Sequence, residues 1–133
     1  MSVSDVHTAL QGFWSKFGIP AYVNGHVPPD AAFPYITYEV INGDALTETV
    51  SSAVCWYEIN RKTGDYATAN AARATMLNSI SVAIPAEGAV IPLAVGYLIL
   101  RRNNANWQSY YDDPNDPYII GGRISYIIEY KTL

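Results

Sequence analysis

The strongest constraint in the chain is the alternation that closes it. From Tyr118 to Lys131, Ile124, Tyr126, Ile128 and Tyr130 fall on one side of an extended backbone, and Arg123, Ser125, Ile127 and Glu129 on the other. A strand this long has main-chain donors and acceptors on both edges and an apolar face. It needs neighbouring strands for the first and a packed layer for the second. Phe33 to Ile41 repeats the pattern, with Ile36, Tyr38 and Val40 opposite Tyr35, Thr37 and Glu39, and Pro34 suits only a strand entrance or an edge. The turn signal Asn42-Gly43-Asp44 leads into a second β stretch, polar from Leu46 to Ser52 and apolar from Ala53 to Asn60. The expectation is a long hairpin whose far end projects beyond the core, because Thr47, Glu48, Thr49 and Ser51 offer little to bury. Gly121-Gly122, inside the last strand, predicts a bulge or a sharp bend.

Two segments have helical spacing instead. Val6, Leu10, Phe13 and Phe17 form one stripe with Trp14 on its flank; Ser4 is the expected N-cap and Gly18 the left-handed stop. Thr63-Gly64-Asp65 caps a second, alanine-rich helix running to about Ser81, with Tyr66, Ala69, Arg73, Met76, Leu77 and Ile80 on one side. Tyr97 to Arg101 is an apolar strand, and Asn103 to Asp116 is polar and irregular around Trp107, Tyr110 and Tyr111. The whole is read as one α+β domain over residues 1–133: a mainly antiparallel sheet of about four or five strands, two helices packed on one face, and a projecting β-hairpin.

Composition narrows the function classes. Charged residues make up 15 % of the chain and the formal net charge is −4, so a clustered Lys/Arg surface for phosphate is not expected. No apolar run is long enough for a membrane span, and MSVSDVHTAL lacks the basic and apolar regions of a signal peptide, which points to an intracellular domain. With one cysteine, Cys55, there is no internal disulfide. Nucleophilic catalysis would pair Cys55 with His26, but no catalytic signature surrounds either residue, and a strand cysteine beside Ala53 and Tyr57 fits packing better. His7 is read as a solvated helix residue. Asp112, Asp113, Asn115 and Asp116 could offer oxygen ligands to a cation, yet between Pro114 and Pro117 they fit a turn more simply. A nucleic-acid platform of Tyr110 and Tyr111 with Arg101 and Arg102 would lack interleaved basic residues. No catalytic, cofactor or metal residues are therefore assigned.

The eleven tyrosines, with so little charge, suit a surface made for other protein subunits. The order of elements, with FPYITYEV (Phe33 to Val40) and the closing ISYIIEYKTL, resembles the tail terminator proteins of long-tailed bacteriophages. These are also called tail-to-head joining, tail completion or minor capsid proteins. That resemblance implies a structural virion protein with no enzymatic activity. It assembles with itself, typically as a hexameric ring, on the head-proximal end of the tail tube, having been made in the host cytoplasm. The ring stops tube polymerisation and meets the head connector or neck protein, while DNA passes through without specific binding. Another head–tail junction or minor capsid role is the alternative, and a small cysteine-dependent enzyme a more distant one. On this reading Asp44, Glu48, Asp112, Asp113 and Asp116 are candidates for lumen or tube-facing acids. Tyr35, Tyr57, Trp107, Tyr110 and Tyr111 are candidate interface aromatics.

Overall fold

The computed structural model describes residues 3–39 and 48–131, with side chains from residue 6 onward. Helix α1 (Val3–Ser15) is followed by strands β1 (Ala21–Val23), β2 (Tyr35–Tyr38) and β3 (Glu48–Glu58), then helix α2 (Tyr66–Ala83). Strands β4 (Ala89–Pro92), β5 (Tyr97–Arg102), β6 (Gln108–Tyr110) and β7 (Ile119–Lys131) complete the chain. The sheet is one strongly curled half-barrel in the order β1-β2-β3-β7-β5-β4, with β6 paired to β7 beside β5. The α+β class and both helices are as expected; the strand count is corrected to seven. The sheet is also mixed, since β1 runs parallel to β2.

The long closing strand is the centre of the sheet, as its length required. It pairs with β3 from Glu48↔Glu129 to Glu58↔Ile119 along one edge, and with β5 and then β6 along the other. This register corrects two expectations. Glu48 to Ser52 does not project: it is held against β7, and Ser51 is buried opposite Tyr126. The predicted turn at Asn42-Gly43-Asp44 lies outside the described residues. Nor is there a bulge at Gly121-Gly122, where pairing with Trp56 and Cys55 continues without interruption. These glycines serve close approach. A Cβ on Gly122 would stand 2.8 Å from Leu77 Cδ2, and one on Gly121 would stand 2.5 Å from the Tyr111 carbonyl oxygen.

The inner row of the sheet carries Ile36 and Tyr38, Ala53, Cys55 and Tyr57, then Ile120, Ile124, Tyr126 and Ile128, and finally Leu98 and Leu100, all buried. Both helices reach this row. Trp14, wholly buried, donates from Nε1 to Tyr126 Oη at 3.3 Å and packs edge-on against Phe13, while Leu77 lies over Gly122. The α1 stripe is thus centred on Trp14, and Phe17 is only partly buried. The expected N-cap, Ser4, lies inside the helix instead, whereas Gly18 takes the left-handed φ of +86° that ends it. On α2, Asp65 accepts from Thr68 N at 3.2 Å, as its position predicted. At its other end Arg102 donates to the carbonyls of Ile84 (2.8 Å) and Ser81 (3.0 Å). A cation there satisfies orphan acceptors and the negative end of the helix dipole.

Candidate functional site

The hairpin of β6 and β7 is fastened to α2 by one arginine. Arg73 sits on the buried stripe of α2 with 1 % of its surface exposed. Its guanidinium donates to Asp112 Oδ1 (3.0 Å) and the Gly121 carbonyl (3.1 Å) from one nitrogen, and to Tyr66 Oη (2.9 Å) and Asn70 Oδ1 (2.8 Å) from the other. The Tyr110 ring covers it at 3.7 Å. A planar fork can satisfy four acceptors in one plane and still stack, which a lysine cannot. The result is a fixed group of tyrosines at the N-terminal end of α2: Tyr66 and Tyr110 stay exposed while their positions are set from below. A second clasp, Arg61 to Asp116 at 2.6 Å, holds the loop between the strands, and Arg61 also lies over Tyr118. Hydrogen bonds from Arg61 and from the Tyr118 amide hold the Asp116 carboxyl below its usual range.

The outer face of the sheet carries a different arrangement. Thr37, Val54, Arg123 and Ser109 form one row across β2, β3, β7 and β6; Glu39 and Ser52 flank it on one side and Trp56 on the other. Trp56 donates to Thr37 Oγ1 at 2.9 Å and meets Tyr111 edge-on at 5.7 Å. Ser52 Oγ donates to Glu39 Oε1 at 2.9 Å. All of these but Ser109 line a cleft of about 200 Å³.

A third grouping was not legible in the sequence. His7 is within 3.0 Å of Tyr38 Oη, whose own proton goes to Gln11 Oε1, so the imidazole Nε2–H is the donor in that pair. Gln11 in turn donates to the Ala21 carbonyl at 3.2 Å. The chain of bonds ties α1 to β1 and β2, which corrects the reading of His7 as a solvated helix residue. Burial raises the Tyr38 hydroxyl pKa, so it acts as a neutral hydrogen-bonding group.

Among the acids proposed from the sequence, Asp112 and Asp116 are bound to arginines. Glu48 lies within 3.3 Å of Arg101, which also meets Glu129. Asp113 has no cationic partner among the described residues, its carboxylate accepting from the Asn115 amide. Asp44 lies outside the described residues. Among the aromatics, Tyr57 and Trp107 are buried in the core of the chain, Trp107 being stacked under Arg102 at 4.7 Å. Tyr110 and Tyr111 are exposed, and Tyr35 is half-buried against Phe33 and Tyr22. The Cys55 thiol is buried and donates to the Gly122 carbonyl at 3.4 Å; burial pushes it up to about 11, while His26 is exposed. A thiol of this kind is protonated at neutral pH and inert. Arg101 and Arg102, the pair considered for nucleic acid, are both occupied within the chain. No helix among the described residues is long and apolar enough to cross a membrane.

No protein-family model matches the sequence, and no curated protein matches it significantly. A solved structure that carries only a serial designation is similar over 100 % of this chain and 98 % of its own, at a TM-score of 0.59 and 14 % identity. At that identity the likeness concerns the fold alone: the curled α+β architecture occurs elsewhere at the same length.

Proposed function

We propose that the protein is a capping subunit of a phage tail. In this reading it forms a ring on the head-proximal end of the tail tube, stops tube growth and joins the tail to the head connector. The observation that carries the reading is the placement of two unlike exposed patches at opposite ends of α2. At the N-terminal end stand Tyr66, Tyr110 and Tyr118. At the other end Val82 is 81 % exposed, and the edge strand β4 that follows carries Val90. With a rise of 1.5 Å per residue, the helix separates these ends by roughly 27 Å. A closed ring requires such a pair, since one patch of each subunit meets a different patch of its neighbour. Tyrosines held by Arg73 lose little further freedom on docking, which favours a preorganised interface. β4 ends the sheet with unpaired main-chain groups, and a neighbour would cover them. Of the acids suggested for the DNA path, Asp113 is the described one that no cation neutralises, and we assign it to the lumen.

Particles assembled without the protein test the reading by electron microscopy. Overlong or unattached tails are expected; tails of normal length joined to heads would reject it. Arg73→Ala in the same assay should reproduce part of the defect, because the tyrosines would lose their support.

A further inference from the structure

The five arginines of this chain divide four to one. Arg61 and Arg73 hold aspartates, Arg101 holds Glu48 and Glu129, and Arg102 holds the carbonyls that end α2. Arg123 alone has no hydrogen-bond or ionic partner among the described residues, and it is exposed. It stands in the middle of the outer face, 5.9 Å from the Tyr111 ring, on the wall shared by the cleft over Thr37 and Trp56 and a second hollow lined by Asn104, Asn106 and Ser125. Among the residues around it, the hydroxyls of Thr37, Ser109 and Ser125 and the amides of Asn104 and Asn106 would complete the hydrogen bonding of an anion held by the guanidinium.

We infer that Arg123 anchors the carboxylate of an aspartate or glutamate on a partner protein, with the acidic side chain seated in the cleft beside Trp56 and Tyr111. Charge selects that occupant. A polyanion is disfavoured, because Glu39 borders the same cleft and Glu48 and Glu129 stand further along the face, with a net chain charge of −4. Glu39 does not take the place of the partner: its carboxylate is turned to Ser52 Oγ, and it forms no ion pair with Arg123. The cleft is about 200 Å³ and the second hollow that Arg123 lines about 440 Å³, so either has room for one acidic side chain. The inference rests on the capping proposal only in taking this face to meet protein.

The test is a titration of the full chain, followed by NMR of the arginine Nε–H and tryptophan Nε1–H signals. The probes are the peptides Ac-Ser-Glu-Ser-NH2 and Ac-Ser-Gln-Ser-NH2. With the glutamate peptide, Arg123 Nε and Trp56 Nε1 should move together, at a concentration roughly tenfold below that which moves any other arginine. The glutamine peptide should move neither, and Arg123→Gln should abolish the Trp56 response while leaving the melting temperature unchanged. Equal response of all five arginines, or equal response to both peptides, would overturn the assignment. So would inorganic phosphate acting at lower concentration than the glutamate peptide. A shift of the Arg123 signal in the free Asp44→Asn protein would place the partner within the chain and overturn it as well. Normal tails in particles lacking the protein would remove the capping proposal and leave this result standing.

Discussion

The two faces of β7 show how one strand divides stability from recognition. On its inner side Ile124, Tyr126 and Ile128 are buried, and the Tyr126 hydroxyl accepts from Trp14. On its outer side stand three polar groups, Arg123, Ser125 and Glu129, and one apolar, Ile127, with no helix above them among the described residues. The inner face is fixed by packing, where each removed atom leaves a void; the outer face is fixed by register alone, so its side chains can change at little cost. This contrast predicts the largest effect for Trp14→Ala. The residue is wholly buried beneath both Phe13 and Tyr126, and the loss of stability should be about 3–5 kcal/mol in urea unfolding. A loss below about 1 kcal/mol would mean that α1 is not essential to the core.

Arg73 breaks the rule that inner positions are apolar, and it sharpens the comparison. It occupies a core position on α2 yet exists to hold the hairpin that carries the exposed tyrosines. Arg73→Ala would leave the Gly121 carbonyl with the Tyr111 amide as its remaining donor and take the guanidinium from Tyr66, Asn70 and Asp112, and it should cost about 3 kcal/mol. That value is at the low end for a buried pair because Asp112 is 63 % exposed and water can replace its partner. Arg73→Lys should rescue less than half of the loss, since an ammonium cannot reproduce the four-acceptor fork under Tyr110. Full rescue by lysine would show that charge alone matters there.

The inner face also titrates. Burial raises the Cys55 thiol from 9.0 to about 11, and raises Tyr57 and Tyr126 from 10.0 to about 12. A group whose pKa is higher in the folded state supports folding fully below its unfolded value and stops doing so as pH rises through the folded one. Stability should therefore hold to about pH 9 and then fall, with Cys55 responsible for on the order of 2 kcal/mol by pH 11 and the tyrosines for the further loss above pH 10. Cys55→Ala should flatten the first part of that fall and leave the second. An unchanged slope would assign the alkaline loss to the tyrosines alone.

The sequence was legible where a pattern is local. Of the stripe that spacing implied on α2, Ala69, Arg73, Met76, Leu77 and Ile80 are buried while Tyr66, at its start, is exposed, and Asp65 caps the helix. The alternation of the closing strand is equally faithful to its burial. Three features failed for physical reasons. β6 is three residues long and polar, with Gln108 partly buried and Ser109 and Tyr110 exposed, so it shows no alternation, and only pairing with Gly122 to Ile124 makes it a strand. Helical spacing alone puts Trp14 on the flank of its stripe, whereas a curled sheet buries a wider arc than a flat one, and that curl is a long-range property. Gly121-Gly122 announced a missing side chain, but a bulge and a close approach of Leu77 look alike until the partner is known. The candidate site was the least legible part. Tyr110 and Tyr111 were found by composition, whereas Arg73 and Arg123 acquire their meaning from residues far away in sequence. Tyr57 and Trp107 show that tyrosine-rich composition does not say which aromatic rings face outward.

The two clasps of the β6–β7 hairpin give the smallest expected effect and the most direct comparison of buried with exposed ion pairs. Arg61 and Asp116 meet at 2.6 Å, closer than the 3.0 Å of Arg73 and Asp112. Distance would rank the first pair as stronger. Burial ranks it as weaker, because both partners stand in water, where Coulomb attraction is screened and side-chain freedom is lost on pairing. Asp116→Asn should therefore leave the melting temperature near that of the parent at neutral pH, and in both proteins added salt should change it little. The Asp116 carboxyl is held below its usual range by Arg61, so what stability it does lend is present above the unfolded pKa and disappears as pH falls through the folded one. Asp116→Asn should then differ from the parent only above that acid limb. A loss comparable to that of Arg73→Ala would show that the loop, and not the α2 anchor, holds the tyrosines in place.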